Sequence, residues 1–67
     1  MDKFKDRLKE LRIDKGISQL ELSQGTGLSQ AAIALWENGK RVPKANVVIV
    51  LAKYFNVTAD YLLGLED

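Results

Sequence analysis

The sequence contains no cysteine and no histidine among its 67 residues. Without cysteine there can be no disulfide and no thiolate metal site. Without histidine there is no imidazole ligand and no nucleophile–histidine pair. The sequence also shows no glycine-rich phosphate loop and no carboxylate pair at a readable site. We therefore expect a protein that is not an enzyme and that uses neither a metal nor a cofactor.

Long apolar runs are also missing, although 46% of the residues are hydrophobic. No run approaches the roughly 18 apolar residues of a membrane span, and the charged start differs from a signal peptide. We expect a cytosolic protein. A chain of 67 residues makes one domain, 1–67. It must rely on an apolar core, because a domain of this size buries only about 60% of its unfolded surface.

Positive charge is scarce overall but unevenly distributed, with a net charge of +1. Residues 1–44 carry nine Lys or Arg against six Asp or Glu, whereas residues 45–67 carry one against three. The basic side therefore lies in the N-terminal two-thirds of the chain. This is where we expect an anionic partner to bind.

The most informative pattern is a short phrase that occurs twice, eleven residues apart: Ile17-Ser18-Gln19-x-x-Leu22 and Leu28-Ser29-Gln30-x-x-Ile33. Each serine is a preferred helix N-cap, and the flanking apolar residues can form a hydrophobic staple. Glu21 completes a capping box with Ser18. Two helix starts at this spacing predict a helix-turn-helix, whose second helix can be presented to the major groove of DNA.

The rest of the sequence predicts three further helices and no strand. The β-branched run Val47–Val50 could suit a buried strand, but the apolar pattern continues to Phe55 at helical spacing after Pro43. We predict helices at about 3–15, 18–24, 29–36, 44–55 and 59–63, separated at glycine or asparagine positions. The predicted core consists of Phe4, Leu8, Leu11, Leu22, Ala32, Ile33, Trp36, Ala45, Val48, Leu51, Ala52 and Phe55.

Four segments together resemble the phage-repressor/Cro family of helix-turn-helix domains, also called the xenobiotic-response-element family. They are Ser18-Gln19, Trp36–Arg41, Pro43 and Tyr61–Gly64, and the likeness extends over nearly the whole chain. The resemblance implies an all-α, five-helix lambda-repressor-like domain with its helix-turn-helix at about 18–37. It also implies a homodimer that binds double-stranded DNA at an approximately palindromic operator. Such a protein would regulate transcription, most often as a repressor, in the cytoplasm and nucleoid of a bacterium or phage-infected host. No membrane or small-molecule partner is indicated.

The resemblance assigns most DNA contacts to helix 3 and its flanks. Gln30 is the strongest candidate for a base contact, because a glutamine amide can bond an adenine edge. The other base-contact candidates are Ala31, Ala34 and Leu35. The phosphate-contact candidates are Gln19, Ser29, Asn38, Lys40 and Arg41, with Lys44 weaker; main-chain N–H groups around Asn38-Gly39 are expected to help. Each polar residue could instead be an ordinary solvated side chain. An ion pair between Arg12 and Glu37 is implied beneath this surface.

Helix 3 departs from the family pattern, which usually has polar or basic residues at the places of Ala31, Ala34 and Leu35. These apolar side chains could lie against thymine methyl groups, or they could be helix formers that contact nothing. They could also form a surface that meets a protein. The alternative function is therefore a protein-interaction module on a degenerate helix-turn-helix frame.

Two further departures concern the turn and helix 4. Thr26 replaces a leucine-like core residue and its hydroxyl needs a partner, while Gly25 weakens the helix, so we predict a soft turn between helices 2 and 3. Apolar residues outside the core stripe of helix 4 predict an interaction surface, although some could pack under helix 1 or helix 5. The expected dimer interface is Val47, Val50, Tyr61, Leu62 and Leu65. The length fits either a complete regulator or the N-terminal domain of a longer repressor.

Overall fold

A computed structural model describes residues 2–66, without the side chain of Asp2. Within this range the chain forms five α-helices and no strand: α1 (Asp2–Lys15), α2 (Gln19–Thr26), α3 (Gln30–Glu37), α4 (Ala45–Phe55) and α5 (Ala59–Leu63). The predicted all-α, five-helix fold is confirmed. None of the helices in the described range is both long and apolar enough to cross a membrane.

The repeated Ser-Gln phrase forms the starts of α2 and α3. The Ser18 hydroxyl accepts a hydrogen bond from the Glu21 N–H at 3.0 Å, and the Glu21 carboxylate accepts one from the Ser18 N–H at 2.9 Å. This is a complete capping box. The Ser29 hydroxyl accepts a hydrogen bond from the Ala32 N–H at 3.2 Å. Both helix starts are therefore fixed by side chains close in sequence, as predicted.

The core lies where all five helices meet. Leu8, Leu22, Ile33, Leu51 and Leu62 are fully buried and come from five different helices. Ala45 is exposed, so its predicted core position is wrong: it is the first residue of α4, directly after the N-cap Lys44, at the surface end of that helix. Leu11, Ala32 and Phe55 lie against the core but are only partly buried.

The turn between α2 and α3 is tied by three side-chain hydrogen bonds. The Thr26 hydroxyl donates to the Leu22 carbonyl at 2.7 Å and accepts from the Leu28 N–H at 3.2 Å. The Ser23 hydroxyl donates to the Leu28 carbonyl at 2.5 Å. The Thr26 hydroxyl therefore has the partner that its position requires. The predicted softness of the turn stays a prediction.

Helix α2 ends two residues later than predicted, so Gly25 lies inside the helix and is not part of the turn. A Cβ atom added at Gly25 would lie 2.8 Å from Cε1 of Tyr54. The ring of Tyr54, on α4, thus rests directly on the backbone of α2. The glycine lowers the intrinsic stability of the helix, but it permits this close crossing of α2 and α4.

Candidate nucleic-acid interface

The outward face of α3 carries one polar side chain and three apolar ones. Gln30 and Ala31 are exposed, and Ala34 and Leu35 are half-buried. Ala31 and Leu35 lie on the side of α3 away from its buried Ile33, whereas Gln30 is three residues before Ile33 and lies at the edge of this surface. Of the four predicted base-contact residues, Gln30 alone has a side-chain hydrogen-bonding group.

Beneath this surface, Arg12 on α1 and Glu37 on α3 form a bidentate ion pair. Arg12 Nε donates to Glu37 Oε2 at 2.7 Å and Nη2 donates to Oε1 at 2.9 Å. The side chains are only 13% and 2% exposed. The hydrogen bonds to Glu37, aided by its charge, raise the pKa of Arg12, while burial opposes the rise. The pair fixes α1 against the end of α3.

The same pair also positions Gln19 at the start of α2. Gln19 Nε2 donates to Glu37 Oε1 at 3.2 Å, and Arg12 Nη1 donates to the Ile17 carbonyl at 2.9 Å. Since a carboxylate only accepts hydrogen bonds, the amide nitrogen of Gln19 must face Glu37. One of its two N–H bonds is used there and the second can serve another acceptor. Gln19 is thus a pre-positioned donor beside the N-terminus of α2.

The loop after α3 uses its main-chain N–H groups internally. The N–H groups of Asn38, Gly39 and Lys40 donate to the carbonyls of Ala34, Trp36 and Leu35 at 3.0, 3.1 and 2.9 Å. Gly39 has the left-handed φ of 74° that this helix ending needs. The expectation that N–H groups around Asn38-Gly39 contact phosphate is therefore wrong, because these donors already close the helix.

Side chains remain as the donors of this loop. Asn38, Lys40 and Arg41 are all exposed, as is Lys44 at the N-cap of α4. Ser29 is exposed as well, with its hydroxyl occupied as the cap of α3. The structure thus places the predicted phosphate-contact residues of α3 and the following loop on the surface, whereas Gln19 at the start of α2 is half-buried.

One cation next to this loop was missed by the sequence reasoning. Lys5, at the end of the first turn of α1, lies across Gly39. A Cβ atom added at Gly39 would be 2.9 Å from Cδ and 3.6 Å from Nζ of Lys5. No local pattern signals this proximity, because it depends on how α1 packs against α3. The loop cations therefore have a neighbour from the beginning of the chain.

The expected dimer residues divide into three groups. Val50 and Leu65 are exposed, at 37% and 72%. Val47 is partly buried against the core, and Tyr61 is partly covered by Arg7, whose guanidinium carbon lies 4.2 Å from the ring centroid. Leu62 is fully buried, so its assignment to a dimer surface is wrong: it is on the face of α5 that packs into the core.

Ile49 is one of the apolar residues outside the core stripe of helix 4 that predict an interaction surface, although it is not among the residues expected at the dimer interface. Ile49 is 50% exposed and borders an apolar groove of about 420 Å³ between α4 and α5. The groove is lined by Pro43, Ala45, Val48, Ile49, Ala59 and Leu63.

Known proteins share both the sequence pattern and the fold. The family model described as helix-turn-helix matches residues 8–62. The HTH-type transcriptional activator BcrR of Enterococcus faecalis is 36% identical over 64 residues, which are 96% of this chain and 31% of that protein. The cryptic phage CTXphi transcriptional repressor RstR of Vibrio cholerae is 30% identical over 54 residues, covering 81% of this chain and 49% of that protein. This chain thus spans less than half the length of either regulator.

A solved structure has a similar arrangement of helices. The crystal structure of the restriction-modification controller protein C.AhdI from Aeromonas hydrophila superposes with a TM-score of 0.82 at 33% identity, covering 90% of this chain and 91% of that one. The family match runs from the core residue Leu8 on α1 to the core residue Leu62 on α5, and so includes the capped α2–α3 unit. The chain therefore belongs to the Cro/C1-type helix-turn-helix family.

Proposed function

We propose that this chain binds double-stranded DNA as a homodimer and represses transcription by occupying an approximately palindromic operator. The observation that carries the proposal is the exposed N-terminus of α3, with Gln30 at its first position and the cations Lys40 and Arg41 just beyond its end. A helix presented in this way suits the major groove, and flanking cations suit the phosphates on either side.

The contacts follow from the chemistry of each side chain. Gln30 can bond an adenine edge through both amide atoms, while Ala31, Ala34 and Leu35 can lie against thymine methyl groups. This combination favours a half-site rich in A·T pairs. Gln19, Lys40 and Arg41 would position the domain through phosphates, which gives affinity without reading sequence.

A second copy supplies the symmetry that a palindromic operator requires. Two α3 helices in successive major grooves stand about 34 Å apart, so the domains must meet through a surface away from the DNA. The exposed apolar residues Ile49, Val50 and Leu65, with the groove between α4 and α5, support this role. A net charge of only +1 leaves little repulsion between two copies.

Repression is the simplest regulatory outcome for such a domain. A bound dimer that overlaps a promoter blocks polymerase through occupancy alone, whereas activation needs a further contact with polymerase. The relatives include one named repressor, RstR, and one named activator, BcrR. The matched part is 31% of BcrR, so most of the activator lies outside this likeness.

Two measurements test the proposal. In vitro selection from a random pool of duplexes identifies the most enriched site, and fluorescence anisotropy then measures binding to it. Gln30→Ala should weaken binding to the selected site by about 5- to 150-fold and change binding to random duplex little. Arg41→Ala should weaken binding to both. Lys53→Ala, which removes an exposed cation from α4, is the charge-matched control and should bind normally. Absence of any duplex binding at micromolar protein and low salt would exclude this function.

The apolar outer face of α3 favours a second candidate, a protein-interaction module. Leu20 on α2 is a further exposed apolar residue, at 50%. Leu35→Asp distinguishes the two functions when Gln30→Ala and Arg41→Ala are measured beside it. If Leu35→Asp abolishes the protein's activity in cells but Gln30→Ala and Arg41→Ala do not, the result supports a protein partner. If Gln30→Ala and Arg41→Ala abolish it, the result supports DNA binding.

A further inference from the structure

A small crevice lies where the first turns of α1 meet the loop between α3 and α4. Its volume is about 40 Å³, enough for a water molecule or the oxygen of a larger group. Two of its lining residues, Lys5 and Arg41, are cations, and none of the lining residues is a carboxylate. The full lining is Phe4, Lys5, Trp36, Gly39, Arg41, Val42 and Pro43.

The stem of Lys5 lies over Gly39, which has no side chain. A Cβ atom at Gly39 would come within 2.9 Å of Lys5 Cδ, so a larger residue at this position would push the lysine stem aside. The ammonium group lies 3.6 Å from the same Cβ position, beside the loop that carries Lys40 and Arg41.

The wall of the crevice points to a ligand rich in oxygen acceptors. The crevice has two cations, Lys5 and Arg41, and no carboxylate among its lining residues. Two cations without a neighbouring carboxylate are chemically suited to an anion with several oxygen atoms, and unsuited to a cationic ligand.

We propose that Lys5 and Arg41 together hold one backbone phosphate of duplex DNA over this crevice, which adds α1 to the DNA-binding surface. The proposal rests on the proposed DNA-binding function and extends it by one binding residue outside the helix-turn-helix. Lys5 contributes a contact that is independent of sequence. It should therefore add to affinity and to its salt dependence, with no effect on the choice of operator.

The test compares substitutions that separate the charge of Lys5 from its packing. Lys5→Met keeps the stem over Gly39 and removes the ammonium, whereas Lys5→Arg keeps a charge. Lys3→Met is the matched control, because Lys3 is on the same helix but its Cβ lies 2.8 Å from a Cβ built at Gly64, beside α5. Anisotropy titrations of the selected duplex and of a random duplex at 50 to 200 mM salt give the slope of log Kd against log salt for each variant.

We expect Lys5→Met to lower this slope equally on both duplexes, by no more than about 0.9, because Arg41 still contacts the shared phosphate. Lys5→Arg and Lys3→Met should keep the wild-type slope, and circular dichroism should show the same helix content in all four proteins. An unchanged slope for Lys5→Met, with or without weaker binding, overturns the proposal while leaving DNA binding intact. Failure of the wild-type protein to bind any duplex overturns the proposed function itself, so the two failures are distinguishable.

Discussion

At the scale of single residues, Arg12 forms hydrogen bonds to two other segments near the candidate interface. It joins α1 to Glu37 on α3 and to the carbonyl of Ile17, at the entry to α2. Because its pKa is raised in the folded state, its contribution to stability is complete below the ordinary arginine range and is lost only as pH rises through the raised value. Titration of Arg12 should therefore produce no change in stability across the neutral range.

Breaking the Arg12–Glu37 pair from one side should destabilise the domain strongly. Arg12→Met leaves the carboxylate of Glu37, which is 2% exposed, buried without its cation. We expect a loss of about 3–5 kcal/mol in the free energy of unfolding, measured by urea denaturation. A domain of this size has a total stability of roughly 3–10 kcal/mol, so partial unfolding without denaturant is also an expected result.

The double variant Arg12→Met/Glu37→Met provides the decisive comparison. Replacing both charges by apolar groups removes the buried unpaired carboxylate, so the double variant should be more stable than Arg12→Met alone. If its destabilisation instead equals the sum of the two single losses, the pair is not coupled, and the geometric account of Arg12 as the anchor of α1 fails.

At the scale of helices, the close contact between α2 and α4 depends on Gly25 having no side chain. An exposed glycine inside a helix ordinarily gains about 1 kcal/mol on substitution by alanine. Here the new Cβ would meet the ring of Tyr54 at 2.8 Å. That ring is packed edge-on against Phe55, with centroids 5.1 Å apart, and lies under Lys15, whose Nζ is 5.3 Å from its centroid. We therefore expect Gly25→Ala to lower the thermal midpoint instead of raising it.

The matched control removes the ring that creates the conflict. In a Tyr54→Ala background, Gly25→Ala should recover its helical advantage and stabilise the protein by about 1 kcal/mol. The effect of Gly25→Ala on stability should thus change sign when Tyr54 is replaced. Thermal melting of the wild type, the two single variants and the double variant measures this change. An increase in stability for Gly25→Ala in the wild-type background would show that the ring moves aside at little cost.

The starts of these helices could be predicted from the sequence, but the contacts where two helices cross could not. The Ser18 cap, the Glu21 capping box and the Ser29 cap depend on side chains within three residues, so their pattern is visible in the sequence. The contact of Gly25 with Tyr54 and that of Gly39 with Lys5 join residues far apart in the chain. Such contacts follow from helix packing, which no local spacing records.

The wrong assignments have the same physical origin. Leu62 lies in a run of apolar residues on a short helix, and which of them turns inward depends on how α5 packs on α1 and α4. The main-chain N–H groups after α3 were predicted as phosphate donors from resemblance. In the structure a left-handed Gly39 allows the Lys40 N–H to donate to the Leu35 carbonyl. These N–H groups are therefore already hydrogen-bonded to the end of α3. The sequence shows which side chains are candidates for DNA contact, whereas the use of the backbone N–H groups depends on how α3 ends.

At the scale of the whole molecule, the cations around the loop after α3 and the apolar groove between α4 and α5 are formed by separate sets of residues, although Val42 is also exposed in that loop. The cations Lys5, Lys40, Arg41 and Lys44 lie around the loop after α3, whereas α4 and α5 expose apolar side chains. The separation suits a molecule that binds an anion with one surface and a second copy with the other. The two surfaces can therefore be disrupted independently.

Ile49→Asp tests the self-association surface without touching the proposed DNA contacts. Ile49 is 50% exposed at the rim of the apolar groove, so the monomer should tolerate the change, whereas a carboxylate buried between two copies would lack a partner. We expect Ile49→Asp to sediment as a monomer at concentrations where the wild-type protein sediments as the proposed dimer. Binding to the palindromic site should fall by on the order of 100-fold, because the second half-site no longer adds to the first.

Ile13→Asp is the matched control for this last substitution, because Ile13 is 57% exposed on α1, outside the groove. It introduces the same charge at similar exposure and should leave both the dimer and the affinity for the palindrome unchanged. Single half-site duplexes sharpen the comparison, since Ile49→Asp should bind them as well as the wild-type protein does. If Ile49→Asp remains a dimer, the copies associate through another surface. If it is a monomer yet binds the palindrome with full affinity, dimerisation is not what the operator requires.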